Sequence, residues 1–185
     1  EIQTPKPNLG MALWISAPAR LLSVSNTKFG LHDIGAIYCG QMNSAPPEGE
    51  WNASFTNCHF NHSDFLDIPL GAKAAAPQQP APARIGASPG IGIQIDASSY
   101  CRLQNCIIQN YRTGLWIGGA PSTGHSLSVN VMYCAQDGAY LERVHDQYLA
   151  QMDCSANGRH GLYMKECSAI ATGASQMGGQ ENAQH

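Results

Sequence analysis

The sequence predicts an all-β solenoid in which coils of about 22–24 residues stack on one another. Three observations predict it. A short stamp, glycine followed by apolar, aromatic or polar, and apolar residues, recurs at Gly92 ("GIQID"), Gly114 ("GLWIG"), Gly138 ("GAYLE") and Gly161 ("GLYMK"), in steps of 22, 24 and 23 residues. Within each unit, apolar and polar residues alternate over only a few positions, which is strand periodicity and too short for a helix. The strands end in Asn, Asp or Gly, residues that tolerate sharp bends. A fixed period of this size dictates architecture before any local preference does.

Taken in chain order, "ALWIS" (12–16) and "GAIYC" (from Gly35) fit the stamp loosely, and "VSNTKFGLHD" (24–33) and "SFTNCHFNHSD" (54–64) supply a second kind of strand with its own turn. That second strand returns as "LQNCIIQN" (103–110), "VNVMYCAQD" (129–137) and "LAQMDCSAN" (149–157), each upstream of a stamp. In this pattern Cys106, Met132 and Met152 are expected to fall together, as are Ile108, Cys134 and Cys154. Two stretches rich in Pro, Ala and Gly, 40–51 and 72–90, cannot add to a strand ladder and are expected as loops extruded between coils. The reading is one domain over 1–177 with those two insertions, about six to seven coils, and an incomplete further coil over 178–185, so that the chain looks like a fragment whose end another segment or subunit covers.

Composition narrows the partners. Charged residues are 12% of the chain, the net charge is −3 and there are four lysines, which gives no basic footprint for nucleic acid or anionic lipid. No apolar run approaches the ~20 residues of a membrane span. Seven cysteines (Cys39, Cys58, Cys101, Cys106, Cys134, Cys154, Cys167) sit mostly where an apolar residue is due, and are read as reduced core residues. The cluster Cys58, His59, His62 has no second group at ligand spacing, so no metal and no cofactor is expected.

The pattern Asn105-Cys106-x-Ile108-x-Asn110, a short turn, then Gly114-Leu115-x-Ile117 resembles the repeat of the right-handed parallel β-helix of pectate-lyase-like proteins, an architecture shared by bacteriophage tailspikes. The resemblance runs over residues 20 to 177 and is strongest from 91 to 167. It implies a right-handed parallel β-helix and, from the tailspikes, a homotrimer on a virion, assembled in a host cytoplasm, with an extracellular protein as the alternative. It is specific for fold and says little of function. In the lyases an arginine or lysine acts as base, commonly with calcium, and "ERVHDQY" (Glu142, Arg143, His145, Asp146) is the second candidate on that ground, but the acidic calcium cluster and the aspartate set of the polygalacturonases find no match here.

In a parallel coil, equivalent residues stack about 4.8 Å apart. The outward position of the stamp reads Gln94, Trp116, Tyr140, Tyr163, a stripe of rings suited to stacking on sugars, or else one in which the rings cover each other or meet a partner subunit. The next outward position reads Asp96, Gly118, Glu142, Lys165. Asp96 and Glu142, separated by one bare glycine coil, would lie about 9 to 10 Å apart, near the spacing of the acid and base of inverting glycoside hydrolases. They are the expected catalytic pair. Trp116, Tyr140, Tyr163, Lys165 and Arg143 are the expected substrate-binding residues, and the competing expectation is a set of solvated carboxylates paired with Arg143 or Lys165. His145 and Asp146 are set aside because neighbours along a strand point to opposite faces. The expected function is binding and hydrolysis of a bacterial surface polysaccharide. A non-catalytic structural or receptor-binding virion or surface protein, and a secreted polysaccharide lyase, are the alternatives.

Overall fold

The computed structural model describes residues 2–3, 11–15, 22–30, 35–39, 53–61, 90–96, 101–118, 125–149 and 151–173. The expected loops at 40–51 and, but for Gly90, 72–90, and the expected further coil at 178–185, lie outside the described residues. The described chain is all strand and turn. In order the strands are β1 (Ile2–Gln3), β2 (Met11–Ile15), β3 (Leu22–Ser25), β4 (Lys28–Gly30), β5 (Gly35–Cys39), β6 (Ala53–Thr56), β7 (His59–Asn61), β8 (Ile91–Asp96), β9 (Cys101–Gln109), β10 (Thr113–Gly118), β11 (Ser126–Met132), β12 (Ala139–Glu142), β13 (His145–Leu149), β14 (Leu162–Lys165) and β15 (Ser168–Thr172).

They form two sheets. One runs β14-β12-β10-β8-β5-β2, and the other runs β1-β4-β7-β9-β11-β13-β15 with β3 and β6 joined to it through β9. Pairing is parallel in both sheets. From β8 onward the chain alternates between the sheets, one strand in each per pass. A parallel neighbour cannot be reached through a tight hairpin; here the strand in the opposite sheet carries the chain back. The architecture is thus all-β with two sheets of parallel strands, compatible with a parallel β-helix.

The stamp fixes the six-stranded sheet. Leu115 lies opposite Ile93 on one side and Ala139 on the other, and Ala139 lies opposite Leu162. The glycines recur because each strand's carbonyl approaches too closely for a side chain: a Cβ would lie 2.7 Å from the Gly114 oxygen at Gly92, 2.8 Å from the Gly138 oxygen at Gly114, and 2.6 Å from the Gly161 oxygen at Gly138. In the earlier strand the slot shifts by one. Ile37 pairs Ile93, which puts Ala36 rather than Gly35 beside Gly92.

Inward-facing residues of both sheets make a continuous core. Ile93, Ile95, Leu115, Ile117 and Leu141 come from one, and Phe55, Leu103, Leu127 and Leu149 from the other, all essentially without exposure. Full burial of each contributes about 1.5–3 kcal/mol. Phe29 and Phe60, on the paired strands β4 and β7, stack with ring centroids 4.8 Å apart in this core. At one corner Asn26, Asn57 and Asn105 adopt φ of 53°, 53° and 52°, the left-handed region that asparagine tolerates. Their amides form a ladder in which Asn57 donates to Asn26 (3.3 Å) and Asn105 to Asn57 (3.5 Å).

The second-strand alignment needs correction. Cys106 and Ile108 face Val129 and Val131, not Met132 and Cys134, and Asn130 bridges Asp153, so Met152 follows Val129. The register shifts between Ser128 and Val129 because β11 has no counterpart of Asn105 in β9, nor of Gln151 after β13, both in the left-handed region. β11 begins at Ser126 and β13 at His145, three and four residues earlier than the sequence pattern suggested.

Candidate functional site

The outward face of the six-stranded sheet carries the ring stripe. Trp116 pairs Gln94 and Tyr140, and Tyr140 pairs Tyr163, while the same register position is held by Tyr38 in β5 and by Trp14 in β2. The Trp116 and Tyr140 centroids are 6.5 Å apart at 16°, and those of Tyr140 and Tyr163 are 5.2 Å apart at 26°. These are offset stacks. The rings therefore cover part of each other's faces and present edges and hydroxyls outward, with Tyr163 the most open at 37% exposure. Burial, then the neighbouring Glu142 charge, raises the Tyr140 pKa, so the phenol stays protonated and able to donate.

Beside the stripe stands the second outward column. Asp96 pairs Gly118 through the backbone, and its side chain lies outside the described residues. On the other side of Gly118, Glu142 pairs Lys165, and the Lys165 ammonium donates to the Glu142 carboxylate at 2.8 Å. That bond holds the Glu142 pKa below its ordinary value and raises that of Lys165. The bare glycine between the two carboxyl positions is not an empty slot. A Cβ on Gly118 would lie 2.7 and 3.0 Å from Trp116 Cζ2 and Cη2 and 3.2 Å from the Glu142 Cβ, so the indole leans over it. Arg143, in a left-handed turn, bonds Glu166 one coil on at 3.0 Å, and so belongs to an ion pair at the corner rather than to the ring stripe.

A third group was not anticipated. Asp137 is 1% exposed, yet its carboxylate accepts from Arg159 Nε (2.9 Å), from Arg159 Nη2, and from His160 Nδ1 (2.8 Å). Burial pushes its pKa up, but the bonds from Arg159 and His160 outweigh burial and leave it lowered. The His160 ring lies 5.1 Å from that of Tyr163, which places the cluster against the stripe. Its signal was present in the sequence. Asp137 and the Arg159-His160 pair each stand just before a stamp glycine, and are therefore one coil apart.

Elsewhere, His145 and Asp146 do touch, at 3.0 Å, because Asp146 takes φ of 48° and turns its side chain back, contrary to the alternation argument. Cys58 and Cys106 are buried neighbours. A hydrogen bond from Cys106 draws the Cys58 pKa down to about 6 and pushes that of Cys106 up. Among the described residues no three His, Cys, Asp or Glu side chains converge as a metal site. Compared with protein-family models, curated proteins and solved structures, the chain matches none.

Proposed function

We propose that the chain is a right-handed parallel β-helix of the tailspike kind that binds a bacterial surface polysaccharide along the Trp116–Tyr140–Tyr163 stripe, as part of a homotrimeric virion protein. The observation that carries the reading is the stripe itself. Rings one coil apart are edged by hydroxyls and bracketed by two ion pairs, Glu142–Lys165 and Asp137–Arg159, that add donors and acceptors without adding net charge. Such a surface offers a long hydroxylated chain the uncovered part of the rings, most of all Tyr163, for its apolar faces and the ion pairs for its hydroxyls. It offers no phosphate-binding excess of cations.

Hydrolysis is the second reading, favoured by one observation. Lys165 keeps Glu142 ionised, the state required of the base in an inverting reaction, and the acid then falls to Asp96 two coils away. A panel of capsular and lipopolysaccharide glycans tests both. Wild-type protein binds at least one of them, and Tyr163→Ala weakens that binding roughly tenfold, the equivalent of one lost ring contact. Reducing-sugar release that falls about 100-fold or more in Glu142→Gln supports hydrolysis. No binding to any glycan in the panel would leave a structural rod.

A further inference from the structure

Asp137 and Arg159 edge the glycan surface proposed above, but neither they nor His160 act in its hydrolysis. Arg159 Nε and His160 Nδ1 converge on the same carboxylate oxygen of a buried aspartate, so a guanidinium and an imidazole are held side by side at the edge of Tyr163. Because the carboxylate is ionised it must accept, which makes Nδ1 the protonated nitrogen of the neutral ring and leaves Nε2 with its lone pair. A simple clamp between coils would be complete with Arg159 alone. The exposed pair His145–Asp146 has a bond of similar length, but with side chains 40% and 71% exposed, so water competes for both partners and neither is fixed.

We infer that His160 is a general base, positioned by Asp137 and flanked by Arg159, that hydrolyses carboxylic esters borne on sugar hydroxyls. The sugar-borne part of this assignment rests on the polysaccharide reading; the base does not. The charge beside the imidazole decides the reaction class. Cleavage of a glycosidic bond builds positive charge on the sugar, which a neighbouring guanidinium opposes, whereas attack on an ester builds negative charge on the carbonyl oxygen, which it stabilises. In the step itself, His160 Nε2 takes a proton from water as the water oxygen bonds to the carbonyl carbon. The resulting oxyanion lies by Arg159. Collapse breaks the bond to the sugar oxygen, which receives the proton from Nε2, leaving a carboxylic acid and a sugar hydroxyl.

The test uses 4-nitrophenyl acetate and the whole chain. Wild-type protein hydrolyses the ester, His160→Gln loses about 100-fold in kcat/KM, and His145→Gln is unchanged. Arg159→Gln lowers kcat more than it raises KM. Asp137→Asn, if it folds by circular dichroism, keeps the imidazole but loses the acceptor that orients it, and kcat falls with little change in KM; if it does not fold, His160→Gln still decides. A wild-type rate equal to that of His160→Gln overturns the assignment. Ester hydrolysis without glycan binding would sink the polysaccharide reading and leave the base standing, and glycan binding with no His160-dependent hydrolysis would do the reverse.

Discussion

The Trp116 indole leans over Gly118, its Cζ2 and Cη2 within 3.0 Å of where a Cβ would stand. The glycine is therefore a seat for the ring rather than a gap between two carboxylates. Because the far end of a side chain can swing aside, Gly118→Ala should cost little stability, under about 1 kcal/mol, while shifting the tryptophan emission. Gly114→Ala should behave otherwise. There the new methyl meets Val131 and the backbone oxygen of Gly138, which cannot yield without opening the next strand, and overpacking of that kind costs about 1–3 kcal/mol. Urea unfolding of the two variants, read beside their fluorescence, checks the contrast.

Acid should weaken the fold in two windows. Burial draws the His125 pKa down from 6.5 to about 4. The unfolded chain takes up that proton as pH falls through 6.5, the folded chain only near 4, so stability declines between those values by about 3 kcal/mol. Asp137 acts lower. Its folded pKa is depressed, so its contribution is complete above the ordinary 3.8 and is lost as pH falls below that value. Unfolding free energies at pH 7, 5, 4 and 3 should show both declines, with His125→Gln flattening the first and Asp137→Asn the second.

Asp137→Asn should also destabilise at neutral pH, by about 2 kcal/mol. Breaking a buried ion pair costs about 3–5 kcal/mol, and the loss is smaller here because Arg159 is 43% exposed and can recover water. Glu142→Gln, on the open face, should leave the melting temperature nearly unchanged. A larger loss from Glu142→Gln than from Asp137→Asn would reverse the roles assigned to the two carboxylates.

The paired thiols set exposure against acidity. The hydrogen bond from Cys106 draws the Cys58 pKa down to about 6, but Cys58 is buried, whereas Cys167 is half-buried, its Sγ donating to the carbonyls of Leu141 and Lys165. Alkylation requires access as well as the thiolate. Brief iodoacetamide treatment followed by peptide mapping should label Cys167 ahead of Cys58 in the native protein. The opposite order would mean that the strands around Cys58 open readily.

The six-stranded sheet was legible from the glycine stamp, because a carbonyl that excludes a side chain recurs at Gly92, Gly114 and Gly138 and leaves a gap of nearly fixed period in the sequence. The ring stripe and the Glu142–Lys165 neighbourhood followed by arithmetic from that period. The other sheet was harder to read. Cys, Met and Val are interchangeable as core residues, so an alignment on Cys106 and Met132 looked as good as the true one on Cys106 and Val129, and nothing local announced that the coil at Ser128 lacks a corner residue. The Asp137–Arg159–His160 cluster is hidden in the sequence because Asp137, in "QDG", has the look of a turn former. Its chemistry appears only when positions 22 and 23 residues apart are laid side by side.

The stacking of coils is tested most directly on the unaltered protein by a zero-length carbodiimide crosslink. Lys165 Nζ lies 2.8 Å from the Glu142 carboxylate across neighbouring strands, 23 residues apart in sequence. Digestion and mass spectrometry should recover an isopeptide bond joining Glu142 to Lys165 as the dominant product. Lys165 joined mainly to a carboxylate elsewhere, with Glu142 unlinked, would contradict the register on which the ring stripe, the carboxylate pair and the His160 site all depend.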